Sequence, residues 1–125
     1  MKTSACLVVV LFAVLILHAN AYPTSMYCNV EHSAEHVPTL GTVYFGDIFQ
    51  YDTHDYKFPK NANVFFEKAM IDFIAAKYNI STRDLSGRCQ GGITTSDAEE
   101  LKAEAEQRHR TNRWKVVETG WTYSK

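Results

Sequence analysis

The sequence has almost no excess of charge of either sign. Its 13 Lys and Arg residues nearly balance 14 Asp and Glu residues, and the formal net charge is −1. Charged residues form no runs, and the chain has no repeats or low-complexity tracts. A near-neutral chain lacks the general electrostatic attraction through which proteins bind nucleic acids and anionic membranes. We therefore predict no nucleic-acid partner.

Familiar catalytic and metal-binding signatures are absent as well. There is no G-x-S-x-G nucleophile elbow, no Cys-His signature and no glycine-rich phosphate loop. His32 and His36 have the i, i+4 spacing of a metal-binding pair, but Pro38 discourages the helix that such a pair needs. We predict no catalytic residues, no metal ligands and no cofactor, and we interpret the segment around the two histidines as a solvated linker.

No apolar run is long enough to span a membrane. The run Ala5–Leu17 has about 13 residues, whereas a spanning helix needs about 20. It follows a positively charged start and precedes His18–Ala21, which ends in an A-x-A cleavage signature. We predict a cleaved signal peptide over residues 1–21, a single secreted domain over residues 22–125, and no stable membrane span.

Cysteine is scarce, with three residues in the chain, of which Cys6 lies in the predicted signal peptide. The other two, Cys28 and Cys89, have no Cys or His neighbour at the short spacing of a zinc site. Two cysteines in an oxidising compartment are most simply joined to each other. We predict an intramolecular Cys28–Cys89 disulfide, with a free thiol or an intermolecular bond as the alternative.

A sequon for N-glycosylation occurs once. Asn79 is followed by Ile80 and Ser81, and it lies in a predicted loop of a secreted chain. We therefore predict Asn79 as a glycosylation site.

The strongest pattern that is present is an amphipathic stretch, Asn63–Tyr78. Its apolar residues recur at the spacing of one helical face: Phe66, Ala69, Met70, Phe73 and Ile74. A second helix is predicted from a capping box at Ser96–Glu99. The basic residues that follow, Arg108, Arg110, Arg113 and Lys115, are interpreted as offsetting the dipole at the end of that helix.

Three segments have the composition and alternation of strands. They are Tyr22–Val30, Thr42–Asp52 with a bulge indicated at Gly46, and Trp114–Tyr123. Glu31–Leu40, Thr53–Lys60 and Asn79–Gly92 are predicted as connections. The order β-β-α-α-β predicts an α+β fold, a small two-layer sandwich with both helices on one face of a mostly antiparallel sheet and with one disulfide.

This arrangement leaves the second face of the sheet uncovered. On that face we predict that Tyr44, Ile48 and Trp114 lie in a contact surface for a partner or for a second copy of the chain, because exposed aromatic and apolar groups favour interfaces. The alternative is that Tyr22–Val30 or Thr53–Lys60 folds over the face.

The function that these observations favour is that of a secreted, non-enzymatic binding or effector protein. Proteins of this type occur in venom, saliva, defence and reproductive secretions, and this one would dock on an extracellular protein or receptor. A small-ligand carrier with an apolar pocket is the alternative, and a small secreted hydrolase is favoured less. The two Trp, seven Tyr and seven Phe residues suit docking or carriage equally well.

Overall fold

The computed structural model describes residues 23–34, 37–52 and 62–123. The predicted signal peptide, the connection Thr53–Lys60 and His36 lie outside the described residues. The elements in chain order are β1 (Pro23–Ala34), β2 (Val37–Phe45), β3 (Phe49–Asp52), α1 (Ala62–Tyr78), a 3₁₀ turn (Thr82–Asp84), β4 (Ser86–Gly92), α2 (Thr95–Thr111) and β5 (Lys115–Glu118).

Strand β1 is the centre of a mixed five-stranded sheet. It pairs antiparallel with β4 along one edge and with β3 and then β2 along the other. Strand β5 extends the sheet by pairing parallel with β2. Because β1 is paired on both edges, its residues set the register of most of the sheet.

The two helices cover opposite faces of this sheet. Met26, Cys28 and Val30 of β1 pack in one buried cluster with Phe66, Met70 and Ile74 of α1. Tyr27, which lies between Met26 and Cys28, packs in a second cluster with Val43 and Phe45 of β2 and Ala105 of α2. Alternate residues of a strand point to opposite faces, so β1 is the wall between two cores.

The predicted α+β class, with two helices, a mostly antiparallel sheet and one disulfide, is confirmed. Its layers and element order need correction. The helices do not share one face, and the order of strands and helices is β-β-β-α-β-α-β. The prediction placed both helices on one face, whereas β1 is buried on both, with Met26 and Cys28 toward α1 and Tyr27 toward α2. Glu31–Leu40, predicted as a connection, continues β1 and begins β2.

The segment predicted as one strand over Thr42–Asp52 is two strands with opposite phase. Val43 and Phe45 of β2 face α2, and Ile48 after the break packs with them. Tyr44 faces α1 together with Phe49 of β3. The break occurs at Gly46, where a Cβ atom would lie 2.8 Å from the carbonyl oxygen of Trp121. Only a residue without a side chain permits that approach.

The predicted disulfide is present and joins directly opposed residues of β1 and β4. Cys28 and Cys89 are Cα partners in the antiparallel ladder, with an S–S distance of 1.99 Å. The segment around Cys89, predicted as an irregular connection, is therefore a strand. The backbone N–H of Cys89 donates to Glu67 of α1 at 3.4 Å, so α1 also satisfies part of the outer edge of β4.

Both helices end in a residue with left-handed backbone conformation. Asn79 (φ 54°) follows α1, and Arg113 (φ 66°) lies just beyond α2. After α2, the N–H groups of Arg113 and Trp114 donate to the carbonyls of Arg110 and His109 at 3.0 and 2.9 Å. This pair of bonds is a Schellman motif, which turns the chain back onto the last turn of the helix.

Helix α2 begins two residues earlier than predicted. The Thr94 side chain accepts from the N–H of Asp97 at 3.1 Å, and Asp97 accepts from the N–H of Thr94 at 3.3 Å. The capping box is therefore Thr94–Asp97 and not Ser96–Glu99. Both sequences fit the motif, and the earlier one is used because β4 ends at Gly92.

Candidate functional site

A polar cleft of about 230 Å³ lies between β1, β4 and the last turn of α2. The residues that line it are Tyr27, Asn29, Glu31, Arg88, Gln90, Arg108, His109, Asn112 and Trp114. They come from three separate parts of the sequence, residues 27–31, 88–90 and 108–114. Most of them carry hydrogen-bond donors, and the cations among them outnumber the single carboxylate.

Asn29 forms the buried part of the cleft. It is only 4% exposed, and it lines the cleft. In the described part of the chain, no fully buried side-chain nitrogen or oxygen lacks a hydrogen-bond partner, so the polar atoms of Asn29 are not enclosed without one. Asn29 therefore contributes a side-chain amide to the wall of the cleft.

Arg88 and Arg108 flank this amide. Arg88 is the Cα partner of Asn29 across the β1–β4 ladder, so both side chains project on the α2 face. Among the described residues neither guanidinium forms an ion pair, although Glu104 lies one turn before Arg108 on α2. Two exposed guanidinium groups are thus available to an anion entering from solvent.

His109 lies at one end of the cleft, and its ring makes both polar and aromatic contacts. Its Nδ1 lies 2.7 Å from the carbonyl oxygen of Ala105, and its Nε2 lies 2.9 Å from Glu31. Its ring meets Phe45 and Trp114 edge to face, at centroid distances of 5.8 and 5.6 Å. Both ring nitrogens lie within hydrogen-bond distance of oxygen atoms of the fold and are therefore already engaged.

Tyr27 and Gln90 form the other end. The Tyr27 hydroxyl donates to Gln90 Oε1 at 2.7 Å, which leaves the two N–H bonds of the Gln90 amide for another acceptor. Burial raises the pKa of Tyr27, and the positive charges of Arg108 and Arg88 act against that shift. The phenol is therefore neutral at physiological pH and acts as a donor.

Two structural devices position these side chains. The Cys28–Cys89 bridge lies one residue away from Asn29 and Arg88, on the opposite face, and fixes the register of the two strands that carry them. The Schellman motif after α2 brings Trp114 back against His109. The cleft is thus built on paired strands and on a closed helix end.

The arrangement is suited to recognition of an anion. Both nitrogens of His109 are already engaged, the phenol of Tyr27 is kept neutral, and both cysteines of the domain are joined in the disulfide. The cleft therefore presents hydrogen-bond donors from its two arginines and its side-chain amides.

A second depression, of about 640 Å³, follows the outer side of α2. It is less enclosed than the cleft, because all of its lining residues are exposed and nearly all lie on that helix, among them Glu100, Gln107 and Thr111. In the described part of the chain, no three His, Cys, Asp or Glu side chains converge as metal ligands.

The structure does not bring together the three residues predicted for a partner surface. Tyr44 is 7% exposed and packs against Tyr78 at a centroid distance of 4.6 Å. Ile48 and Trp114 are half-buried against the other core. The uncovered face that motivated the prediction is covered by a helix. A contact role for Ile48 or Trp114 stays a prediction, and only Trp114 lines the cleft.

Asn79, the predicted glycosylation site, is exposed directly after α1. It lies on a different element from every residue of the cleft. Its modification stays a prediction.

A second charged cluster lies on α2 beside β5. Lys102 pairs with Glu118 at 3.1 Å, and Arg110 approaches Glu106 at 3.8 Å. Burial, followed by the hydrogen bond and charge of Glu118, raises the pKa of Glu106 to about 7. Burial also acts to raise the pKa of Glu118, but the hydrogen bonds from Glu106 and Lys102 lower it below its usual value. These shifts predict that the two glutamates share a proton.

This pair predicts that stability falls as the pH rises. Because the pKa of Glu106 is higher in the folded chain, its contribution is complete below about pH 4.5 and is lost as the pH rises through about 7. Glu106→Gln keeps a donor for Glu118 at every pH. We expect it to remove about 1–2 kcal/mol of the decline in unfolding free energy between about pH 5 and pH 8, after solvent screening.

Urea unfolding at several pH values would measure this difference, with Glu100→Gln as the control because Glu100 is exposed on the same helix. If Glu106→Gln kept the slope of the unmodified protein, the proton would not be shared by these two residues.

Comparisons of the chain with protein-family models, curated proteins and solved structures gave no match. No helix within residues 23–34, 37–52 and 62–123 has the length and apolar character needed to cross a membrane. The geometry of the cleft is therefore the basis on which a function is argued.

Proposed function

We propose that this protein is a secreted, non-enzymatic binding protein that docks on another macromolecule by holding an anionic group of the partner in the cleft. The observation that carries the proposal is the pair of guanidinium groups of Arg88 and Arg108, which line the cleft and form no ion pair among the described residues. Secretion is supported by the predicted signal peptide and by the Cys28–Cys89 bridge.

Charge supports an anion as the bound group. The cleft has the two guanidinium groups of Arg88 and Arg108 against the single carboxylate of Glu31, which His109 already contacts at 2.9 Å. Guanidinium groups bind carboxylate and similar oxyanions through two parallel hydrogen bonds. The remaining donors, the amides of Asn29 and Gln90, can complete the coordination of such a group.

Size supports docking over carriage. Pockets that enclose a drug-sized ligand usually measure about 300–1,000 Å³ and are mainly apolar. This cleft is about 230 Å³ and polar. It therefore suits one functional group that projects from a larger partner, and the carrier alternative is favoured less.

The test is selection of peptides from a random display library on the secreted protein, followed by measurement of their affinity. We expect the selected peptides to share an acidic residue. We expect Arg88→Gln with Arg108→Gln to weaken their binding at least about tenfold, since a hydrogen bond to a charged group contributes about 1.5–3 kcal/mol.

Lys77→Gln with Arg83→Gln is the matched control, because it removes the same charge from exposed positions outside the cleft. Equal binding by the Arg88/Arg108 variant and the control, or selection of peptides without acidic residues, would contradict the proposal.

A further inference from the structure

The cleft continues into a second compartment with a different surface. This groove, of about 550 Å³, is lined by Leu40, Asn112, Arg113 and Trp114. It shares Asn112 and Trp114 with the cleft. The two compartments therefore lie side by side, and a single extended ligand can occupy both.

The groove combines large apolar side chains with a cation. Leu40 is a large apolar residue of β2 that is 40% exposed, and Trp114 is half-buried next to it. An isolated exposed leucine has no special meaning, but Leu40 shares this groove with a tryptophan and an arginine. Trp and Arg are the residues that most often dominate binding energy at protein interfaces.

We infer that the partner is an acidic peptide segment of a protein, with one acidic side chain in the cleft and a neighbouring apolar side chain in the groove. This inference rests on the proposed function and specifies its ligand. Arg88, Arg108 and Arg113 give both compartments the charge complementary to an acidic segment. An apolar residue beside the acidic one would cover Leu40 and the exposed part of Trp114.

The contributions of the two compartments should be separable. Loss of the acidic side chain removes charge-assisted hydrogen bonds, and loss of the apolar one removes buried area. We expect each loss to weaken binding by about tenfold or more, because removal of a single apolar contact commonly changes binding by that factor.

The experiment uses short glycine–serine peptides that carry Glu with Leu, Glu with Ser, Gln with Leu, or Gln with Ser. Each pair is placed both in adjacent positions and one residue apart. Their affinities are measured by NMR titration against the secreted chain, the Arg88→Gln/Arg108→Gln variant and Leu40→Ser. Ile93→Ser is the control for Leu40→Ser, since Ile93 is a large apolar residue that is 72% exposed outside the groove.

The inference predicts that Glu with Leu binds best, that Leu40→Ser reduces its affinity to that of Glu with Ser, and that Ile93→Ser changes nothing. If Glu with Leu and Glu with Ser bind equally, and only the arginine variant weakens them, the apolar compartment is not used and the inference fails while the proposed function stands. If no peptide binds, or if the arginine variant binds as well as the original chain, both fail.

Discussion

Replacing Cys28 and Cys89 together with alanine is expected to lower the free energy of unfolding by about 4 kcal/mol. The bridge joins residues 61 positions apart, and the unfolded chain regains the freedom of that loop when the bridge is removed. Domains of this size have a total stability of about 5–15 kcal/mol. The loss therefore amounts to a large part of the whole.

Urea unfolding of the oxidised and reduced forms would measure this loss. A reductant should destabilise the original chain by a similar amount and have no effect on the alanine variant, which provides an internal control. An alanine variant with the urea midpoint of the oxidised chain would show that the bridge contributes nothing to stability.

The second large effect is expected for Phe66→Ala, with a loss of about 3–5 kcal/mol. Phe66 is a residue of α1 and is fully buried. Its ring meets Phe49, Tyr51 and Tyr123 edge to face at centroid distances of 5.0, 5.3 and 4.9 Å. Removal of the ring leaves a cavity that surrounding rings fill only in part, and it removes these aromatic contacts.

Val64→Ala provides the control, because Val64 is on the same helix and 61% exposed. Surface changes of this kind usually alter stability by no more than about 0.5 kcal/mol. Thermal and urea unfolding of both variants would distinguish them. Equal midpoints for Phe66→Ala and Val64→Ala would mean that the buried Phe66 ring does not contribute to the stability of this core.

The sequence predicted α1 well because its period is unambiguous. Phe66, Met70 and Ile74 lie one turn apart and are the three buried residues of the helix. The disulfide was equally predictable, since only two cysteines remain after the predicted signal peptide. In both cases a local pattern or a simple count determined the outcome.

Strand β4 could not be predicted in this way. Its sequence, Ser86–Gly92, contains three glycines and only one buried residue, Cys89. Nothing in that composition favours a strand. The segment is extended because β1 supplies its hydrogen bonds and the disulfide fixes its register, which are tertiary effects. Without β4 between them, the two helices follow each other directly in the predicted order. Both are therefore predicted on the same face of the sheet.

The cleft was missed for a related reason. Asn29, Arg88 and Arg108 lie in three separate elements, and no spacing connects them along the chain. Arg108 was grouped with Arg110 as a cation offsetting the helix dipole. The structure divides that group, because Arg110 lies near Glu106 while Arg108 lines the cleft. One local signal was available, namely a polar Asn29 between the apolar residues Cys28 and Val30 of a strand.

The turn after α2 sets stability against the proposed recognition at a single residue. A left-handed backbone conformation costs a residue with a side chain roughly 1 kcal/mol, and glycine is the usual residue there because it avoids that cost. This chain has Arg113 in that position, with φ 66°, at the rim of the groove. A glycine would give a more stable turn but would leave the groove without its own cation.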